Sequence, residues 1–185
     1  VAGSGAAAVN ATGFGNVITN TVEASIRSGS HVHTLAGLVD LTAADASLIR
    51  SMGVSIAGTG GIAAGALIGA NVITNTIAAQ ISGSTVASAS SLNLAASSTA
   101  NIMGFTFGVA GSGVGAGLLS LSANVITNTV KAGILSASGV AASGAVTISA
   151  SDSSTIDALA FGVAGSGGAA LGAALSANVV CNTIQ

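Results

Sequence analysis

Apolar residues in this chain recur at every second position rather than every third or fourth. The alternation is plainest in Val22-Glu-Ala-Ser-Ile26, Ile77-Ala-Ala-Gln-Ile81 and Val130-Lys-Ala-Gly-Ile134. A valine column follows at Val32, Val86 and Val140, and then the pairs Val39/Leu41, Leu92/Leu94 and Val146/Ile148. Beyond Ile49, Ile102 and Ile156, alternation resumes in Met52-Gly-Val-Ser-Ile56, Phe105-Thr-Phe-Gly-Val109 and Leu159-Ala-Phe-Gly-Val163. Period two is the mark of half-buried β-strands. Clusters of Ser, Gly, Asn and Asp, such as Arg27-Ser-Gly-Ser30 and Ser151-Asp-Ser-Ser-Thr155, separate the segments as turns. No helix cap precedes a 3.6-period face. The best helical segment, Gly61–Ala70, is weakened by its glycines.

The segments align because the chain repeats. A Gly-rich stretch opens at Val1, Ile56, Val109 and Val163, and an Asn-Val-Ile-Thr-Asn-Thr strand or its variant follows fifteen residues later, at Asn16, Asn71, Asn124 and Asn178. Successive blocks begin 55, 53 and 54 residues apart. That period points to stacked units. The expected fold is all-β with essentially no helix: one repetitive β-solenoid over 1–185, with repeats at 1–55, 56–108, 109–162 and a partial 163–185. About 54 residues exceed one coil of a typical solenoid, so each repeat is expected to make two coils, or three. The chain begins within one block and ends two residues after another, which suggests an excerpt of a longer array or a processed subunit.

Parity then assigns faces. If Ile18, Val22, Ala24 and Ile26 point inward, so do Asn16 and Asn20, and their counterparts Asn71, Asn75, Asn124, Asn128, Asn178 and Asn182. Buried amides need partners, and stacking on the same Asn of the next repeat would supply them. The same parity turns Thr19, Thr21, Thr74, Thr76, Thr127, Thr129 and Thr183 outward, with Cys181 interrupting the fourth rank. In Gly111-Ser-Gly-Val-Gly-Ala-Gly117, glycine at every second residue would bare one face of a strand, open to close approach by a neighbouring sheet or subunit.

Composition narrows the function. Only 4% of residues are charged, the net charge is -2, and the four Phe are the only aromatics. Nucleic-acid binding lacks both its positive field and its stacking platforms. Ser51 to Val130 carries no charge, and Gly61, Gly65 and Gly69 have the spacing of packed membrane helices. Against a membrane span stand the Asn, Ser and Thr in every candidate stretch, the missing aromatic and basic flanks, and the period-two order. The first residues, Val1-Ala-Gly-Ser-Gly, are not expected to act as a secretory leader, since no basic segment precedes an apolar one there.

Seven of the ten charged or His residues fall between Glu23 and Arg50. His31 and His33 flank Val32 and share a strand face. Two such imidazoles can hold a metal with Asp40 or Asp45 completing the site, but they are weak candidates beside solvated surface histidines. Later repeats carry Thr85/Ala87 and Gly139/Ala141 in their place. Asp40, Asp45, Asp152 and Asp157 lie at turns and strand starts, where Asp caps backbone groups. Cys181 stands where other repeats have Thr, with no activating base nearby in the sequence. Neither catalysis nor a cofactor is expected, since nothing chemical repeats with the array. The Thr ranks resemble the surface of ice-binding β-solenoids, over three residues per repeat.

The unit Gly-Ser-Gly followed by Leu-Ser-Ala-Asn-Val-Ile-Thr-Asn-Thr-Val-x-Ala-x-Ile, complete at Gly111–Ile134, resembles repeats of very large bacterial surface exoproteins, the filamentous-haemagglutinin and leukotoxin-like adhesins. The resemblance spans nearly the whole chain. It implies a long right-handed β-solenoid at the cell surface that mediates attachment. The expected partners are neighbouring repeats or identical subunits, with a host or surface receptor as a further candidate. With few charges, no proline and no charged or helical cap in view at either end, strand edges are expected to pair, in a stalk, filament, sheath or surface layer.

Overall fold

The computed structural model describes residues 1–88, 90–136 and 138–185, and these contain strands and no helix. The first repeat contributes β1 (Ala2–Ser4), β2 (Ala7–Arg27), β3 (His31–His33) and β4 (Val39–Asp45). The second contributes β5 (Leu48–Thr59), β6 (Ile62–Ser82), β7 (Thr85–Ser88) and β8 (Leu92–Ser98). In the third lie β9 (Asn101–Ser112), β10 (Gly115–Leu135), β11 (Gly139–Ala142) and β12 (Val146–Asp152). Then come β13 (Thr155–Ser166), β14 (Ala169–Val180) and β15 (Thr183–Ile184). Residues 61–70, the best helical segment by sequence, fall almost wholly within β6.

Every strand pairs in parallel with its counterpart one repeat away, giving four sheets: β1-β5-β9-β13, β2-β6-β10-β14 with β15 also on β10, β3-β7-β11, and β4-β8-β12. The register does not slip, as in Asn16↔Asn71, Asn71↔Asn124 and Asn124↔Asn178. Parallel strands in stacked sheets of this kind are compatible with a β-solenoid.

The expectation of two or three coils per repeat is corrected. Among the described residues no strand pairs with another strand of its own repeat, so one repeat is one circuit through all four sheets. The reason is strand length. β6 and β10 each run for 21 residues, several times an ordinary strand. At about 3.3 Å per residue such a strand spans roughly 70 Å. The polar Asn-Val-Ile-Thr-Asn-Thr hexapeptide lies inside it and does not end it.

The circuit is flattened into two layers. β10 packs against β9 and β13, and also against β8 and β12. The sheet β2-β6-β10-β14 therefore forms one layer, while β5, β9 and β13 with β4, β8 and β12 form the other. Alternate side chains enter the gap between them. At one end Ile77, Ile81, Val86, Leu92, Leu94 and Val130 make a large aliphatic cluster. A second cluster holds Ile49, Ile73, Ile102 and Ile126, and a third is built of Ala57, Ala63, Ala110, Ala116 and Leu118. Burying each Ile or Leu fully stabilises by about 1.5–3 kcal/mol relative to exposure. The gain is greatest inside the stack, where Ile73, Ile77 and Ile81 are fully covered while Ile18, Val22 and Ile26 of the outer coil are half-buried.

The Gly-rich segments are not single bare strands. Each bends at a two-residue corner between layers, at positions 5–6, 60–61, 113–114 and 167–168. Corners stack on corners. A Cβ on Gly61 would lie 1.7 Å from the Ala6 carbonyl oxygen, and one on Gly113 would lie 2.3 Å from that of Gly60. The close approach is thus by the preceding corner, whose carbonyl at Ala6 accepts the Ile62 N–H at 3.0 Å. Elsewhere glycine makes room inside the gap: a Cβ at Gly69 would strike the Phe14 ring, and one at Gly108 would strike Leu118.

Candidate functional site

Two columns of asparagine run through the stack, one on each side of the Ile73/Ile126 column. Asn71, Asn75, Asn124 and Asn128 are fully buried, and the end members Asn16, Asn20, Asn178 and Asn182 are more open. Period-two geometry puts the asparagines of the long strands on their inner side, and Asn182 continues the second column from the gap between β14 and β15.

The columns solve burial differently. In the first, side-chain amides bond to one another: Asn16 Nδ2 donates to Asn71 Oδ1 at 2.9 Å, Asn71 to Asn124 at 2.7 Å, and Asn124 to Asn178 at 2.9 Å. Spare donor capacity goes to Ser51 Oγ from Asn71 and to Ser122 Oγ from Asn124. In the second column the Oδ1 atoms accept backbone N–H groups. Asn20 N–H donates to Asn75 Oδ1, Asn75 to Asn128, and Asn128 to Asn182, at 2.9, 3.1 and 2.9 Å.

The side-chain NH2 groups of that second column cross to the other layer. Asp45 accepts Asn20 Nδ2 at 3.1 Å and Asn75 Nδ2 at 2.7 Å, along with the Ser47 backbone N–H and hydroxyl. Asp152 accepts Asn128 Nδ2 at 3.2 Å and Asn182 Nδ2 at 2.5 Å, and also caps the Ser154 N–H. In register between these two carboxylates stands Ser98, whose Oγ takes a bond from Asn128. One carboxylate therefore serves two coils. A carboxylate in every coil would stack like charges about 4.8 Å apart, and Ser98 doubles that spacing.

Sequence reading places Asp152 as a turn cap and Asp45 as a turn cap or a carboxylate completing a His31/His33 metal site, and misses their asparagine partners. The available signal is Asp45-Ala-Ser47 recurring as Asp152-Ser-Ser154 two repeats on. Its meaning depends on which strand lies across the gap.

The threonines form the outer face of the same strands. Thr19, Thr74 and Thr127 stand in register, as do Thr21, Thr76, Thr129 and Thr183. Thr129 is half-covered and the others are exposed. Cys181 follows β14 as an exposed free thiol.

His31 and His33 lie exposed on β3, and His31 Nδ1 contacts Thr85 Oγ1. Asp40 accepts from Thr42 and from Asn93 on the surface, while Asp45 is committed to the asparagines. The two candidate metal ligands are therefore not joined by the carboxylates proposed to complete them. Among the described residues, no three His, Cys, Asp or Glu side chains gather as a metal centre would require. Nearby, Glu23 and Arg27 form an ion pair on the outer face of β2. No helix among the described residues is long and apolar enough to cross a membrane. Compared with known proteins, the chain matches no family model, no curated protein and no solved structure.

Proposed function

We propose that the chain is a structural repeat module of an extracellular or cell-surface fibre, an adhesin stalk or filament built as a right-handed β-solenoid. One observation carries this reading: everything specific in the interior is a device for stacking one repeat on the next. The Asn16–Asn178 ladder has a direction, with Nδ2 donating toward the later repeat and Oδ1 accepting from the earlier one. Asn178 Nδ2 thus matches Asn16 Oδ1 of another stack in chemistry and register. The outer strands β2 and β14 each have one long-strand neighbour, so an added coil of the same repeat completes their ladders, whether covalently continuous or from a second copy. Side-by-side association of such fibres would give a sheath or surface layer.

Electron diffraction of concentrated protein tests this. Rods with an axial repeat near 4.8 Å are expected. Discrete particles at every concentration overturn the stacking role, and a helical circular-dichroism spectrum overturns the fold.

A second reading, ice or receptor binding, is favoured by the exposed threonine columns, whose methyl and hydroxyl groups form a regular two-dimensional array. Thermal hysteresis in concentrated solution is its expected sign, and ordinary colligative freezing removes the ice-binding form. For receptor binding through the charged Glu23–Arg50 segment, replacing His31 and His33 should reduce adhesion, and unchanged adhesion removes that form.

A further inference from the structure

The outer face of the sheet β5-β9-β13 is apolar where solvent would ordinarily select polar residues. Its columns, read across the three coils, are Met52/Phe105/Leu159, Val54/Phe107/Phe161 and Ile56/Val109/Val163. Met52 is 74% exposed, Leu159 58% and Phe161 48%. The Phe107 and Phe161 rings stack with centroids 5.6 Å apart and planes 3° from parallel, which keeps the face flat. Nine contiguous apolar side chains exceed the scattered hydrophobics of a normal surface and mark an interaction site.

One further column identifies the partner. Beside the apolar block run Arg50, Met103 and Asp157, all exposed. The surface dips there into a groove lined by Arg50, Met52, Met103, Phe105, Asp157 and Leu159. Arg50 and Asp157 sit two coils apart, about 9.6 Å along the stack, too far to pair with each other. A two-fold axis along β9, lying in the plane of contact, keeps the strand direction and reverses the stacking direction. It sets Arg50 opposite Asp157 of a second copy, and Asp157 opposite that copy's Arg50. Met52 then faces Leu159, Val54 faces Phe161, and Met103, Phe105 and Phe107 each face their own counterparts.

We propose that this face binds the same face of a second copy, antiparallel in stacking direction, with two Arg50–Asp157 ion pairs flanking an apolar core. The contact is isologous and closes on itself. Strands of 12 residues, three abreast, give a face of about 40 by 14 Å, hence about 1,100 Å² buried in total. That just exceeds the roughly 1,000 Å² of a specific interface and places the dimer at the weak end of the range. Sheets packed face to face at about 10 Å accommodate such side chains. The contact is lateral, involves none of the sheet edges, and is independent of end-to-end growth.

Sedimentation velocity between micromolar and millimolar concentration tests the proposal, with circular dichroism to confirm folding of each variant. A concentration-dependent dimer is expected. Arg50→Asp alone, and Asp157→Arg alone, should each weaken it at least about tenfold, because every dimer then holds two like-charge contacts. Combining the two reversals should restore it. Phe107→Asp, which sets two carboxylates on the axis, should weaken it at least about a hundredfold. A chain that remains monomeric throughout overturns the proposal. So does a dimer indifferent to the charge reversals, or an open-ended lateral series in which this face meets the long-strand layer. End-to-end rods formed equally by all four variants are expected, since the lateral contact uses no sheet edge, and rods abolished by the charge reversals would overturn the separation of the two contacts.

Discussion

An asparagine amide offers two donors and an acceptor, so a buried one is stable only where its neighbours are spaced to meet both ends. At Asn71 they are: it accepts from Asn16 and donates to Asn124 and Ser51. Asn71→Ala leaves groups on both adjoining coils unpaired and is expected to cost about 2–4 kcal/mol. Asn16→Ala removes one contact at an exposed position and should cost less than half as much. Guanidinium unfolding of the two variants checks the ratio, and equal losses would show that the ladder direction is irrelevant. The carboxylates set a second rule. Ser98→Asp would complete a carboxylate column through Asp45 and Asp152, and like charges on both sides would raise the pKa of the new carboxyl in the folded state. Its deficit relative to the parent chain should be small below the ordinary carboxyl pKa of about 4 and grow as the pH rises. Thermal unfolding at pH 3.5 and pH 7 measures this, and a deficit of equal size at both would point to steric crowding instead.

Within elements, glycine does two different jobs. At the corners it admits the carbonyl of the preceding coil, so Gly61→Ala should cost about 1–3 kcal/mol, as overpacking does. Gly117 lies in β10 with open space where a Cβ would go, and Gly117→Ala should fall within about 0.5 kcal/mol of neutral. Melting curves of the pair separate corner stacking from a general intolerance of side chains. The same elements show what the sequence could reveal. Alternation from Val22 to Ile26 is legible because each inward residue is apolar and each outward one is not. Circuit length is not legible from it, because alternation carries on through Asn71–Thr76 with no residue that must turn. The corner at Gly113-Val114 hides within glycines that could equally be strand. The Asp45–Asn75 contact joins residues thirty apart across the gap, and only the layer arrangement reveals it.

For the whole molecule, the stack has two kinds of surface available to partners: sheet edges at its ends and broad faces along its sides. Asn178→Lys places a charge at one end of the amide ladder and sacrifices a single internal bond, the one from Asn124. It should leave the folded chain intact while abolishing rods under conditions in which the parent chain forms them. Electron microscopy of both proteins decides this, and rods of unchanged length would remove edge stacking as the route of growth. Stability, too, belongs to this scale, because the inner strands β6 and β10 hold the fully buried Ile73, Ile77, Ile81, Ile126 and Val130 and the outer strands borrow cover from them.

One circuit per repeat also makes the length of the molecule a quantised, inheritable quantity. Removing residues 56–108 joins Ser55 to Val109 and brings each strand of the first repeat against its own counterpart in the third. The 21-residue strands still meet 21-residue strands, corners still stack on corners, and the stack shortens by one step of about 4.8 Å. A deletion half that size would set β2 against a strand of another length and expose its asparagines. Recombination between neighbouring repeats would therefore yield shorter or longer stacks of unchanged cross-section, while errors out of phase would not fold.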